Sequence, residues 1–348
     1  MQRMGMPVHV GISILLLLMV LLSIVIAVTI GSTYIDADVV YEVIMAEILH
    51  KTTEISTAIH DVVWHIRLPR LVLAVVVGGG LSVCGIVMQA VVQNPLADPY
   101  ILGVSSGASF GATLAILLGV GLAFGSGYVG VIAFGGAFIA SLLVMVIANV
   151  GGRANSVKLL LSGTAINAVF SAFSSFLVFF ANDREGIKNI TFWLMGSLAG
   201  AKWSDIVVIY VVVLSGVFFF LSQYRTLNMM LVGDETSITL GTDLHKYRHI
   251  YMMVVALMIG FIVYASGMIG FIGLIIPHFM RILFGTDHKK LILVSFLIGG
   301  LFLIWADVLS RIIIPHTELP IGILISMVGA PCFIYLLVRK SYGFGGRN

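Results

Sequence analysis

RLPRLVLAVVVGGGLSVCGIVMQAVVQNPLADPYILGVSSGASFG, residues 67–111, decides the architecture. Arg67 and Arg70 open the stretch, and Leu71 to Ala97 then runs without a formal charge, longer than the ~20 residues a helix needs to cross a hydrocarbon core. Asn94-Pro95 and Asp98-Pro99 break the run just after Gln93, because proline restrains the residue before it and lacks the amide proton a continuing helix requires. Asp98 followed by Pro99 has the form of an N-cap and a first helical residue, so the chain is expected to turn in a tight polar elbow and re-enter the membrane. Gly103, Gly107 and Gly111, four residues apart, strip one face of that returning helix and let a neighbouring backbone come close.

The rest of the chain continues in kind. Of 348 residues 59% are hydrophobic and only 10% charged, with a mean hydropathy of +1.11, which excludes a soluble domain and marks an integral membrane protein. Cys84 and Cys332 lie inside apolar runs and suggest neither a disulfide framework nor a metal cluster. No stretch has the basic and aromatic mixture of a nucleic-acid groove. The expected architecture is all-α and polytopic, a single transmembrane domain over 1–348. Its spans are expected near 11–30, 71–91, 100–119, 129–150, 158–181, 205–223, 249–266, 268–284, 291–309 and 320–338.

Between these spans, residues 31–66 read as one short helix on the outer surface, 183–188 as a solvated turn, and 189–201 as a partial helix. Ser204 reads as the cap of the sixth span, and Gly267 to Pro277 as a tight outer turn. Ten crossings put both termini on one side. With that side cytoplasmic, twelve of the nineteen lysines and arginines lie inside and seven outside, in keeping with the positive-inside rule.

Three groups of residues are candidates for function. Arg67 and Arg70, at i and i+3, share a face at the mouth of the second span, and Arg311 follows Asp307 by four residues at the outer end of the ninth. Spacing alone fits interfacial snorkelling and a local ion pair as well as it fits recognition. Thr164, Asn167, Ser171, Ser174 and Ser175 form a small polar stripe along the fifth span, which suits either interhelical hydrogen bonds or a wet path. Residues 227–243, LNMMLVGDETSITLGTD, read as two short helices hinged at Gly233, with Asp234, Glu235 and Thr236 at a helix start and Leu240 and Gly241 near the end. Histidines 60, 65, 278, 288 and 316 are scattered, with no ligand spacing on one helix face, so no metal site is expected. No G-x-x-x-x-G-K-[ST] phosphate loop, no H-E-x-x-H and no nucleophile–base pair occurs, so no covalent catalysis is expected of this chain and any ATP must be bound elsewhere.

Several words taken in order resemble the FecCD-type permeases, the membrane subunits of ABC importers for iron-siderophores, haem and cobalamin. They are RLPR at 67–70, NPLADP at 94–99, LG-x-SSGA at 102–108, GMIGFIGLIIPH at 267–278, GTDH at 285–288, ELPIG at 318–322 and GAP at 329–331. The resemblance implies a type II importer permease fold in the cytoplasmic membrane, working as a homodimer or paired with a close paralogue. It also implies a translocation path bordered by the fifth span. Two ABC ATPase subunits would carry ATP and Mg2+, docking on 227–243 as the coupling segment. An extracytoplasmic binding protein would dock through glutamates on Arg67, Arg70 and Arg311. The competing class, an ion-coupled secondary transporter, needs ionisable residues near mid-membrane, and the span interiors read as lacking them.

Overall fold

The computed structural model describes residues 6–31, 33–51, 55–152, 154–315 and 317–338. His316 and the basic Arg3, Arg153, Arg339, Lys340 and Arg347 lie outside the described residues. Among the described residues there is no strand, and fifteen α-helices follow one another. They are α1 (Met6–Thr29), α2 (Ala37–Leu49), α3 (Thr57–Asp61), α4 (Leu68–Val91), α5 (Val104–Leu118), α6 (Tyr128–Asn149), α7 (Ser156–Phe180) and α8 (Arg184–Leu194). Then come α9 (Trp203–Ser222), α10 (Tyr224–Val232), α11 (Asp234–Thr239), α12 (Leu244–Ser266), α13 (Ile272–Phe284), α14 (His288–Ile312) and α15 (Ile321–Val338). The seven segments long and apolar enough to cross a membrane include α1, α4, α6, α7, α9, α12 and α14, while α5, α13 and α15 are shorter apolar helices. The fold is thus an all-α polytopic bundle with close to ten apolar spans.

The bundle is built around α4. In the most apolar window of the segment containing it 94% of residues are buried, against 11% in α7 and 22% in α1, so α4 is the axis and the other two are periphery. Glycines allow this. A β-carbon at Gly78 would overlap the Gly299 carbonyl of α14, and one at Gly85 would overlap the Gly273 carbonyl of α13. Without side chains at these crossings the backbones touch, and packing replaces the hydrophobic effect that lipid cannot supply. Gly107 and Gly111 do the same for α5 against Gly136 and Ile132 of α6. Gly103 lies against Ala140 and Val144 of α6 and Ile166 of α7, and it also caps α5 in the left-handed region at φ 74°, a conformation glycine adopts without strain.

The structure corrects several boundaries. The second span does not begin at the arginines; α3, a π-helical stretch at Val62–Arg67 and α4 are continuous from Thr57 to Val91, 35 residues. Residues 31–66 therefore hold α2 and the N-terminal end of this long helix rather than one surface helix. Residues 183–188 are no loose turn: Asp183 accepts from the Glu185 and Gly186 amides and caps α8, whose first turn they form. Ser204 caps nothing, because α9 starts one residue earlier, after Lys202, and the Ser204 hydroxyl bonds Asp205.

The larger correction concerns depth. Both the elbow after α4 and the turn after α12 lie inside the bundle. Pro99 packs where a β-carbon on Gly273 would fall, Gly273 meets Gly85 of α4, and the Tyr100 hydroxyl donates to Ile269 O at 3.2 Å. Gly85 is six residues before the end of α4, so these turns sit ~9 Å in from that end at 1.5 Å per residue. Asp98 caps only a single 3-10 turn, Pro99–Leu102, by accepting from the Tyr100 amide, and α5 starts after it. Accordingly α5 and α13 are short helices that begin within the membrane-spanning body. Irregular backbone is tolerated at such depth only where protein or a cavity surrounds it.

Candidate functional site

Three sites follow from this scaffold. At the end of the bundle where α3 and the π-helical stretch project, Arg67, Arg70 and Arg311 converge. Helix α1 ends there with unpaired carbonyls, as every helix must. Arg67 Nη1 donates to Val28 O at 2.8 Å and Thr29 O at 3.2 Å, and Nη2 to Thr33 O at 2.6 Å. Arg311 donates to Ile30 O and Ala27 O at 3.0 and 3.3 Å. Two cations thus cap the negative end of one helix dipole. Arg70 bonds Asp307 at 2.5 Å through Nε and Glu318 at 2.7 Å through Nη1, and Arg311 Nε lies 3.2 Å from the second Asp307 oxygen.

All three guanidiniums are therefore buried and turned inward, held by partners within the chain. Asp307, fully buried, is shared between two of them, and only Glu318, about half exposed, looks outward. The i,i+4 pair of Asp307 and Arg311 was legible in the sequence. Capping of α1 by Arg67 was not, since it spans 38 residues of chain.

The polar stripe of α7 faces α5 and α8. Asn167 accepts from Ser106 of α5 at 2.7 Å, while Thr164 and Ser174 donate to carbonyls of their own helix, Leu161 and Phe170. Ser171 lines two adjoining cavities. One, of about 480 Å³, is bounded by Asp98, Tyr100, Ser105, Asn167 and Met268 among others, and the second, of about 540 Å³, by Ser109, Thr113, Ser174, Ser175 and Phe179 among others. Thr164 stands apart from both, exposed. The groove is open along α7, whose outer face shows Leu161, Val169, Phe173 and Phe176. Asp98 keeps its elbow role and also lines this groove within the bundle, an ionisable group where the span interiors read as having none. Asn94 keeps a local turn role, accepting from the Leu96 amide, with Pro95 between them.

At the opposite end lies the segment 224–243. Helices α10 and α11 meet at Gly233, whose φ of 100° and ψ of 162° continue neither helix; Gly241, at φ 82°, ends the unit. Asp234 takes both Arg248 Nη atoms of α12 at 2.6 Å, a bidentate pair, and Gln93 Nε2 at 3.3 Å. Asn228 of α10 bonds Asp287 and the His288 backbone amide at the start of α14. The segment is thus seated on the ends of α4, α12 and α14 together. Facing away are Val232, Ile238 and Leu240, each more than half exposed, with Thr236 exposed beside them. Glu235 belongs to α11.

One pair of histidines taken as unrelated comes together: His60 and His65 approach with Asp61 on the projecting collar. Five residues on an α-helix are ~140° apart, so a helical-period reading could not join them. The π-helical stretch does.

The profile of the FecCD transport family matches residues 16–339. The chain is 42% identical over 276 residues to a cobalamin import system permease protein of Halobacterium salinarum, covering 79% of this chain and 73% of that one. It is 38% identical over 293 residues to a hemin transport system permease protein of Yersinia pestis, covering 82% and 86%. Among solved structures, a metal-chelate type ABC transporter in an inward-facing conformation superposes with a TM-score of 0.81 at 30% identity, over 94% of this chain and 99% of that one.

Proposed function

Because the chain belongs to the FecCD transport family, we propose that it is the permease subunit of a type II ABC importer, carrying a bulky chelate across the membrane between two copies of itself or a close paralogue. The observation that carries the reading is the groove beside α7. It is lined by small hydroxyls and amides, opens along a peripheral helix, and is only half enclosed by one chain. A second copy across α7 would complete a conduit, and its sparse hydrogen bonding suits a ligand that passes rather than one that is held. Relatives named as cobalamin and hemin permeases support a large metal-chelate cargo. An iron(III)-siderophore is the cargo we favour, with haem and cobalamin next.

Energy and selection come from other chains in this reading. The end bearing α10 and α11 is cytoplasmic, and Val232, Ile238 and Leu240 present an apolar surface to each of two ATPase subunits, which hold ATP and Mg2+. Seated on three helix ends, the segment can pass a rigid-body displacement into the bundle. A binding protein delivers the cargo at the opposite end. There the arginines organise the docking face from below, and an incoming glutamate competes with Glu318 for Arg70. Such charge pairing sets on-rate and orientation more than affinity. No covalent chemistry is assigned to this subunit.

Reconstitution in vesicles tests the reading. Loaded binding protein should stimulate ATP hydrolysis and drive uptake, and disruption of 233–241 should abolish both while the dimer persists. Uptake by this chain alone on a proton or sodium gradient would refute it. Among the described residues lining the groove, Asp98 is the one that favours ion coupling, and Asp98→Asn separates the readings: ATP-driven uptake survives it, ion-driven uptake does not.

A further inference from the structure

We infer that His60, Asp61 and His65, with Glu47 behind His60, form a site for a divalent transition metal of the Zn2+ type on the collar that precedes α4. The inference stands apart from the transport reading. One ligand atom from each of the three residues lies within 4.8 Å of the others. Ligand atoms around Zn2+, bound at ~2.0–2.1 Å, sit about 3.3 Å apart in a tetrahedron, so side-chain rotation at two exposed positions, 61 and 65, closes the site.

The His60 ring is already divided between two roles. Nε2 meets Glu47 of α2 at 2.9 Å, and Nδ1 lies 3.7 Å from Asp61 Oδ1. A carboxylate that takes the far ring nitrogen fixes the tautomer and turns the near nitrogen into a ligand, the arrangement that orients metal-binding histidines. The two imidazoles stand 6.2 Å apart at 64°, converging rather than stacked.

The backbone supplies a second, independent indication. Residues 62–67 form a π-helical stretch in a segment that is otherwise α-helical, a rare departure that is frequent at functional sites. It is what rotates His65 toward His60. Two imidazoles and one carboxylate suit Zn2+, Co2+, Ni2+ or Cu2+, and are a poor match for Ca2+ or Mg2+, which prefer oxygen. With the Asp61 side chain 56% exposed, water reaches a fourth position. A bound ion would fasten the helical segment before Arg67 to α2 through the His60–Glu47 contact, stiffening the face on which the arginines lie.

The test uses the full chain, purified without a polyhistidine tag, stripped with chelator and titrated with Co2+ as a spectroscopic probe, then with Zn2+ in competition. One equivalent with visible d–d absorption is expected. His65→Gln should weaken Co2+ binding by about 100-fold or more, and Glu47→Gln by ~10–100-fold while keeping the stoichiometry. Asp61→Asn, at an exposed position, gives the same reading if His65→Gln is not recovered. The double change His245→Ala/His249→Ala removes a histidine pair near the opposite end and should leave binding intact. Absent binding in the parent protein, equal binding in His65→Gln and Asp61→Asn, or loss only in the His245/His249 variant overturns the inference.

Discussion

Asp234→Asn is the sharpest probe of how the segment 224–243 is held. The parent side chain accepts two bonds of 2.6 Å from Arg248, whose side chain is only 3% exposed, while Asp234 itself is 40% exposed. Hydrogen bonds to charged groups contribute about 1.5–3 kcal/mol, and the pair is partly solvated, so that range is taken for the whole contact rather than for each bond. Asparagine keeps one acceptor but removes the charge, leaving Arg248 buried against a neutral partner and the Val91 carbonyl. At 1.4 kcal/mol per tenfold, local release of α10 and α11 from α12 should rise about 10- to 150-fold. Hydrogen exchange in a lipid nanodisc reads this directly: amides of 227–243 should speed up by that factor while those of α4 stay unchanged. In the reconstituted complex the same variant should hydrolyse ATP with weakened response to loaded binding protein. If exchange over 227–243 is the same in Asp234→Asn, Arg248→Met and the parent, the pair is not what seats the segment, and the coupling argument built on it fails.

Gly85→Ala should destabilise the bundle by at least the ~1–3 kcal/mol of an overpacked core, because its β-carbon would overlap backbone of α13; Gly11→Ala, with open space around it, should leave the thermal midpoint in detergent unchanged or slightly raised. Glu318→Gln keeps an acceptor but removes the carboxylate charge beside Arg70 and should raise the association rate of an acidic binding protein, measured by surface binding at low salt, with the gain fading as salt increases. Asp307→Asn should instead cost roughly 3–5 kcal/mol of stability, since it leaves two buried arginines short of their shared anion. Ser171→Trp, at an exposed groove position, should block uptake in vesicles without lowering the thermal midpoint.

Local chemistry was enough to read the apolar segments, the hinge at Gly233 and the tight turns, because bilayer thickness makes a charge-free run of sufficient length legible by itself and because glycine and proline act on their own backbone. The pair Asp307–Arg311 was visible for the same reason: four residues on a helix are neighbours whatever surrounds them. What depended on distant chain was not visible. That α4 is the axis and that Arg67 and Arg311 close the end of α1 are facts about which surfaces meet between helices far apart in sequence, and the pairing of Asp234 with Arg248 depends on how the chain turns between α11 and α12. The depth of Asp98 and the meeting of His60 with His65 turn on two departures from regular geometry, an elbow folded into the body and a π-helical stretch, which periodicity of 3.6 cannot anticipate. Hydropathy thus located the apolar segments, while close packing between them set their ends, their depths and their neighbours.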